Sequence, residues 1–297
     1  MLTPVTLEPV GGAEQTDRME RTYPAGVTSW IDLEQPDVDA AQGFYSALLG
    51  WHWEERMPEG APYRYAIASL DGADVAGLGG PGEGETGGTG GTGWQTYVAV
   101  DDAEAVAAAV TASGGRVLQP PTAAGPAGTA VVCADPDGVV FRLWQAGRRL
   151  GAQVSNVPGA WNFSHLHTDH PAVVSDFYAP LLGWRVVDQG WSTVIRVDGY
   201  GDHLAATVDP GIRERQASAP EGFADVIGGV QPLAEGEQPH WHVVVTVEDR
   251  DDAAQRARQL GAEVLRTDDE EWTRSAVIRD PQGAVLTLSQ FTPPDTW

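Results

Sequence analysis

The sequence predicts an α+β protein built as a tandem repeat of paired βαβββ half-units, and three observations carry that prediction. The chain has 297 residues, enough for two domains at roughly 100–200 residues each. It repeats itself: Phe44-Tyr45-Ser46-Ala47-Leu48-Leu49-Gly50-Trp51 returns as Phe177-Tyr178-Ala179-Pro180-Leu181-Leu182-Gly183-Trp184, and Asp135-Pro136-Asp137-Gly138 returns as Asp280-Pro281-Gln282-Gly283. Between these blocks, residues 94–100 and the Asp102 that follows return as 241–247 and Asp249. A repeat with its landmarks in order sets the architecture before any single residue is read. It divides the chain into an extension (1–26), a first domain (27–147), a linker (148–159), a second domain (160–292) and a tail (293–297).

Within the first copy each element has a local cause. Trp30-Ile31-Asp32-Leu33-Glu34 alternates as a strand with two unlike faces must. Pro36-Asp37 then opens a helix in which Val38, Ala41, Tyr45 and Leu48 recur at helical spacing, and Gly50 supplies the left-handed residue at its end. Strands are expected at 63–69 and 74–78. The unit then restarts with a strand at 95–100, a helix at 102–112, Gly114-Gly115, and strands at 116–119, 129–134 and 139–144. In the second copy Pro180 predicts a kinked or shortened helix near Ala179, because proline removes an amide donor. Residues 79–93 hold nine glycines and no large apolar side chain, which predicts a mobile connection. Their counterpart, read as 210–239, is longer, contains Phe223, Val226, Ile227 and Val230, and reads as a surface loop or a lid.

Composition excludes several function classes. Acidic residues outnumber basic ones 42 to 18, giving a net charge of −24, and every basic residue is arginine. Without lysine there is no Schiff-base lysine, no phosphate-loop lysine and no lysine base. So acidic a chain is repelled by nucleic acid and by anionic membranes. The lone Cys133 excludes an intrachain disulfide and a cysteine zinc site, which fits a reducing compartment. The first 26 residues lack the apolar core of a signal peptide, so the expectation is a soluble, cytoplasmic protein.

On the Pro36-Asp37, Phe44-Tyr45, Leu49-Gly50-Trp51 and Asp135-Pro136-Asp137-Gly138 blocks, the chain resembles the vicinal oxygen chelate superfamily of glyoxalases, bleomycin-resistance proteins and extradiol dioxygenases. The resemblance spans 27–147 and 160–292. It implies two cupped mixed sheets with helices on their outer faces, and a pseudo-dimer within one chain that is a monomer or a homodimer. In metal-using members it implies four ligands per cup, usually His from the first strand of each half-unit and Glu from the last. Carried over, the first copy offers Trp30, a position near 75–77, Gln95 and Arg142. The second offers Phe163, a position near 203–205, His242 and Thr287. Only His242 is an expected ligand, so the familiar set is broken in both cups. The reactions implied are isomerisation, oxygenation and lyase chemistry, but the same fold also hosts metal-free drug binders, and fold does not settle function.

Six of the seven histidines lie in the second copy. Strand residues two apart share a face, so Phe163, His165 and His167 point one way, as do His240 and His242, with His203 expected on the strand between. Converging neutral imidazoles suit a divalent Fe, Zn, Ni, Mn or Cu ion, and His165, His203 and His242 form a candidate set. Without a metal, His165, His167 and His242 are candidates for proton transfer, with Phe163, His240, Trp241 and Thr287 contacting substrate. In the first cup Trp30, Asp32, Gln95 and Arg142 converge, either as an ion pair of Arg142 with Asp32 or Glu34 or as a polar floor for a carbonyl or carboxylate. The functional expectation is a small-molecule enzyme acting on an oxygenated metabolite in the second cup. The alternative is a metal-free protein that sequesters an aromatic ligand or antibiotic between tryptophan walls, and a third reading is a scaffold with two vestigial cups.

Overall fold

The computed structural model describes residues 20–82, 93–189, 192–217 and 219–293. Most of the N-terminal extension, the glycine-rich stretch at 83–92 and Trp191 lie outside the described residues. Each copy forms its own eight-stranded sheet. The first contains β1 (Thr28–Glu34), β2 (His52–Glu55), β3 (Tyr63–Leu70), β4 (Ala73–Pro81), β5 (Gly93–Ala99), β6 (Arg116–Ala123), β7 (Gly128–Ala134) and β8 (Val140–Ala146), ordered β2-β3-β4-β1-β5-β8-β7-β6. The second contains β9 (Trp161–His167), β10 (Arg185–Asp188), β11 (Thr193–Arg196), β12 (Val226–Gln231), β13 (His240–Thr246), β14 (Glu263–Asp269), β15 (Thr273–Arg279) and β16 (Val285–Phe291) in the matching order. The central junctions β1–β5 and β9–β13 are antiparallel, and the pairs beside them are parallel. The expected α+β tandem of mixed sheets is the architecture found. The sequence reading did not place the four-residue edge strands β2 and β10, too short to show a period.

Among the described residues the connecting helices are α1 (Val38–Leu49), α2 (Ala103–Ala112), α3 (Ala179–Leu182), α4 (Tyr200–Ala206), α5 (Ile212–Arg215) and α6 (Arg250–Gln259). Three of them open on a capping aspartate: Asp37, Asp102 and Asp249 accept from the amides of Ala40, Ala105 and Asp252, each cap contributing about 1 kcal/mol. The third half-unit has His170 where the first has Asp37, and no side chain caps it. Its chain runs through a wide turn, Val174–Tyr178, before the single helical turn of α3 that contains Pro180.

The insertion that lengthens the second copy lies between β11 and β12, where the first copy has only the Asp71-Gly72 turn. Residues 226–231, which read as part of a long loop, are strand β12, hydrogen-bonded to β9 as β4 is to β1. In register, Gly77 opposite Asp32 corresponds to Gly229 opposite His165.

The repeated blocks bind the domains to each other crosswise. Tyr45 donates to Asp280 at 2.9 Å and Tyr178 to Asp135 at 3.1 Å, each from one copy's helical segment to the other copy's Asp-Pro turn. Trp51 donates to the carbonyl of Gly159, and Trp184 to that of Gly26, just before the first strand of the opposite domain. Where the sheets back onto each other, Thr96 donates to Ser164 at 2.7 Å in a buried contact. Each of the two hydrophobic cores consequently draws on both domains. Ile31, Leu33 and Tyr45 share one with Val243, Ala257 and Leu286, and Val98, Val110 and Phe141 share the other with Leu166, Phe177 and Trp241.

Candidate functional site

In the first cup the predicted polar residues meet, and they occupy one another. Asp32, 2% exposed, accepts from Trp30 at 2.7 Å, Tyr65 at 2.8 Å and Tyr97 at 2.5 Å. Arg142, 7% exposed, stands 3.2 Å from Glu34 and 3.5 Å from Asp32 and donates to Tyr97 at 2.7 Å. Burial pushes the Glu34 carboxyl up and Arg142 offsets part of that shift. Burial also opposes the charge on Arg142, but Tyr97, Asp32 and Glu34 outweigh it and hold the guanidinium charged. A Cβ on Gly77 would strike Asp32 and Tyr65, and one on Gly79 would strike Tyr63. Gln95 lies opposite Asp32 in the ladder. Trp30, at 5% exposure, is part of this closed network and not a wall at an open mouth.

The second cup carries different groups at the same positions. Register aligns Asp32 with His165, Glu34 with His167, Gln95 with His242 and Arg142 with Thr287. His167 pairs with His240 across the β9–β13 ladder and His165 with His242. The His167 and His242 rings stack with centroids 4.6 Å apart. His240 Nε2 is 3.1 Å from His242 Nδ1, and His242 Nε2 is 2.8 Å from the Thr287 hydroxyl. Glu237, on the connection between β12 and β13, reaches His167 Nδ1 at 2.8 Å. One ligating atom each from His167, Glu237, His240 and His242 lies within 4.8 Å of the others, a cluster able to hold a divalent ion. Glu237 is the residue the sequence reading missed; it sits in the stretch read as a surface loop or a lid.

His165 stands one step deeper, and among the described residues its ring has no hydrogen-bond partner. It meets the edge of Phe163 at a centroid distance of 6.3 Å and lies beside Gly229, whose missing side chain leaves it room. Burial, and secondarily His167, pushes His165 down to about 4. Burial also lowers His167, which Glu237 partly offsets, and takes His242 well below the ordinary histidine value with the neighbouring imidazoles adding to it. These three rings are therefore neutral near pH 7.

Two predicted site residues are elsewhere. His203 is on α4, in the insertion, where its ring bonds Thr22, so the candidate set His165, His203 and His242 does not assemble. Trp241 alternates with His240 and His242 and so faces the opposite side of the sheet. It is 3% exposed and packs against Tyr178 and Trp184. Tryptophans 51, 94 and 184 are buried as well, so they serve as core and do not line a cup.

Residues 29–143 match the Glyoxalase/Bleomycin resistance protein/Dioxygenase superfamily, and residues 164–289 match a glyoxalase-like domain. The chain belongs to the vicinal oxygen chelate superfamily. It is 33% identical over 273 residues to CFP32 of Mycobacterium tuberculosis, whose name includes the word glyoxylase, covering 91% of this chain and 97% of that one. It is 32% identical over 283 residues to the anthracycline biosynthesis protein DnrV of Streptomyces peucetius, covering 91% and 94%. Among solved structures, the Mn(II)-bound glyoxalase from Novosphingobium aromaticivorans shares the fold at a TM-score of 0.56 and 17% identity, over 91% of this chain and 84% of that one. Measured against the superfamily's usual ligand positions, the second cup does not fit a metal there. Phe163 and Thr287 occupy two of them, β12 offers no ligating side chain at 226–229, and only His242 qualifies.

Proposed function

We propose that this superfamily member is a small-molecule enzyme whose working cup is the second one, and that it moves a proton beside the carbonyl of an oxygenated organic substrate. One observation carries the reading. At positions where the first cup buries Asp32, Glu34 and Arg142 in a closed network, the second presents neutral imidazoles, and among the described residues the His165 ring has no hydrogen-bond partner. Burial holds the His165 imidazole neutral at pH 7, so its lone pair is free to take a proton, although the same shift to about 4 makes it a weaker base than an ordinary histidine. The imidazole would take the proton from the carbon next to the carbonyl, leaving that bond's electron pair as the enolate, and return it to the same or a neighbouring atom, an isomerase-type step. Phe163 supplies a flat wall beside it, and the hydroxyl of Thr287 is placed to meet a substrate oxygen. DnrV is named for anthracycline biosynthesis, and anthracyclines, being planar hydroxylated quinones, are the class to try first.

The test uses solvent exchange, because it needs no knowledge of the final product. The protein is incubated in deuterated water with a panel of hydroxyquinones and enolisable ketones, and deuterium uptake at carbon is followed by proton NMR. The expected result is catalysed exchange for at least one compound, lowered by about 10²–10⁴-fold in His165→Asn, the usual worth of a positioned acid or base, while the variant still binds. Binding without exchange by the wild type would favour the ligand-sequestering alternative, and exchange undiminished in His165→Asn would remove His165 from the chemistry.

A further inference from the structure

We propose that a divalent transition-metal ion binds at the rim of the second cup on His167, Glu237, His240 and His242, a set displaced from the superfamily's usual ligand positions and sharing only His242 with them. The inference deepens the reading above by naming the cup's cofactor, yet it is tested without turnover and would survive the failure of the proton-transfer step.

Strand pairing brings three of the donors together: His167 closes β9, and His240 and His242 lie opposite on β13. Glu237 precedes β13 by a short turn, its second carboxylate oxygen held by the amide of Ala234 at 2.7 Å. Two donors bound to one ion at roughly 2.0–2.1 Å stand about 3.0–3.4 Å apart, depending on coordination geometry. The observed separations lie near that range at 3.1 Å for His240 to His242 and 3.7 Å for His240 to Glu237, while His167 Nδ1 donates to Glu237 at 2.8 Å, a proton that metal binding would displace. All four ligating atoms lie within 4.8 Å of one another, and the His240 side chain, 36% exposed, gives an ion its way in.

The tautomers can be deduced from the partners. His240 Nδ1 faces the carbonyl of Gln238 at 2.9 Å. A carbonyl only accepts, so Nδ1 carries the proton and Nε2 presents its lone pair to the cluster. His242 Nε2 faces the hydroxyl of Thr287, which both donates and accepts. When Thr287 donates, His242 Nδ1 carries a proton and donates to His240. When the hydroxyl turns and accepts, the proton moves to His242 Nε2 and two lone pairs face each other at 3.1 Å, an arrangement a cation relieves. Thr287, at a superfamily ligand position, thus orients a ligand instead of being one. Three imidazoles and one carboxylate suit Zn, Co, Ni, Cu or Fe better than Mg or Ca, and a bound ion would polarise a substrate carbonyl oxygen.

The experiment uses untagged full-length protein stripped with a chelator and titrated with Co²⁺, read by equilibrium dialysis and by the visible absorption of the bound ion. The expected result is a single equivalent bound, not displaced by a large excess of Mg²⁺. Glu237→Gln and His240→Ala, at partly exposed positions and checked for fold by circular dichroism, should each weaken binding by more than about 100-fold, the upper end of what losing a mere supporting partner costs. His165→Asn and His203→Ala should bind as the wild type does. The proposal is overturned if the wild type takes up no Co²⁺, if both Glu237→Gln and His240→Ala leave uptake unchanged, or if His165→Asn abolishes uptake that His240→Ala retains.

Discussion

Arg142 and Thr287 hold the same place in the two copies, and the difference between them separates the cups. Arg142 neutralises two buried carboxylates, so Arg142→Met would strand Asp32 and Glu34 in a low-dielectric interior. Breaking a buried ion pair from one side costs about 3–5 kcal/mol, which urea denaturation should register as a shifted midpoint. The triple variant Arg142→Met, Asp32→Asn, Glu34→Gln should recover most of that loss, whereas an equal loss in both would mean that packing and not charge is at stake. A second residue-scale expectation concerns Cys133, whose thiol burial pushes up to about 12. At pH 8 it should be inert to iodoacetamide in the native protein and react only on unfolding; rapid native labelling would contradict its placement.

The element scale explains why the most conspicuous sequence blocks say little about chemistry. The Phe-Tyr-x-x-Leu-Leu-Gly-Trp and Asp-Pro-x-Gly blocks are a reciprocal clasp, each tyrosine donating to the other domain's buried aspartate. A hydrogen bond to a charged group contributes roughly 1.5–3 kcal/mol. Tyr45→Phe and Tyr178→Phe should therefore each destabilise the whole chain by that amount, in one cooperative transition because both cores span the two domains; two separate transitions would contradict the shared cores. Fold and strand register were legible because alternation and repeats report which face each residue takes: the inward histidines of β9 and β13 follow from a spacing of two. Trp241 is a residue the same rule assigns to the other face once His240 and His242 are set inward. What could not be read was the site of the insertion. A helix such as α4 places His203 on the far side of a connection whose length the local pattern does not reveal. Glu237 was illegible for a related reason, since its role depends on a turn that brings it back over β9.

At the scale of the molecule, burial of phenols dominates the response to alkali. Tyr23, Tyr45, Tyr63, Tyr65, Tyr97 and Tyr178 are all shifted upward, with burial the leading cause in each. Groups whose ionisation is harder in the folded state bind more protons there than in the unfolded state. Their contribution to stability is then full below the unfolded values, near 9 for the thiol and 10 for the phenols, and is lost as pH rises beyond them. Phenolate absorbance should appear steeply and together with loss of the circular dichroism signal; independent ionisation near pH 10 in a still-folded protein would contradict it. On the proposed function, two copies of one architecture have diverged into a cup filled by its own Asp32, Glu34 and Arg142 and a cup lined by imidazoles that binds substrate. Diffraction from crystals soaked with the hydroxyquinone that binds best would decide it. Density for the ligand against His165, Phe163 and Gly229 is the predicted result, and density in the first cup, beside Asp32 and Arg142, would contradict the account.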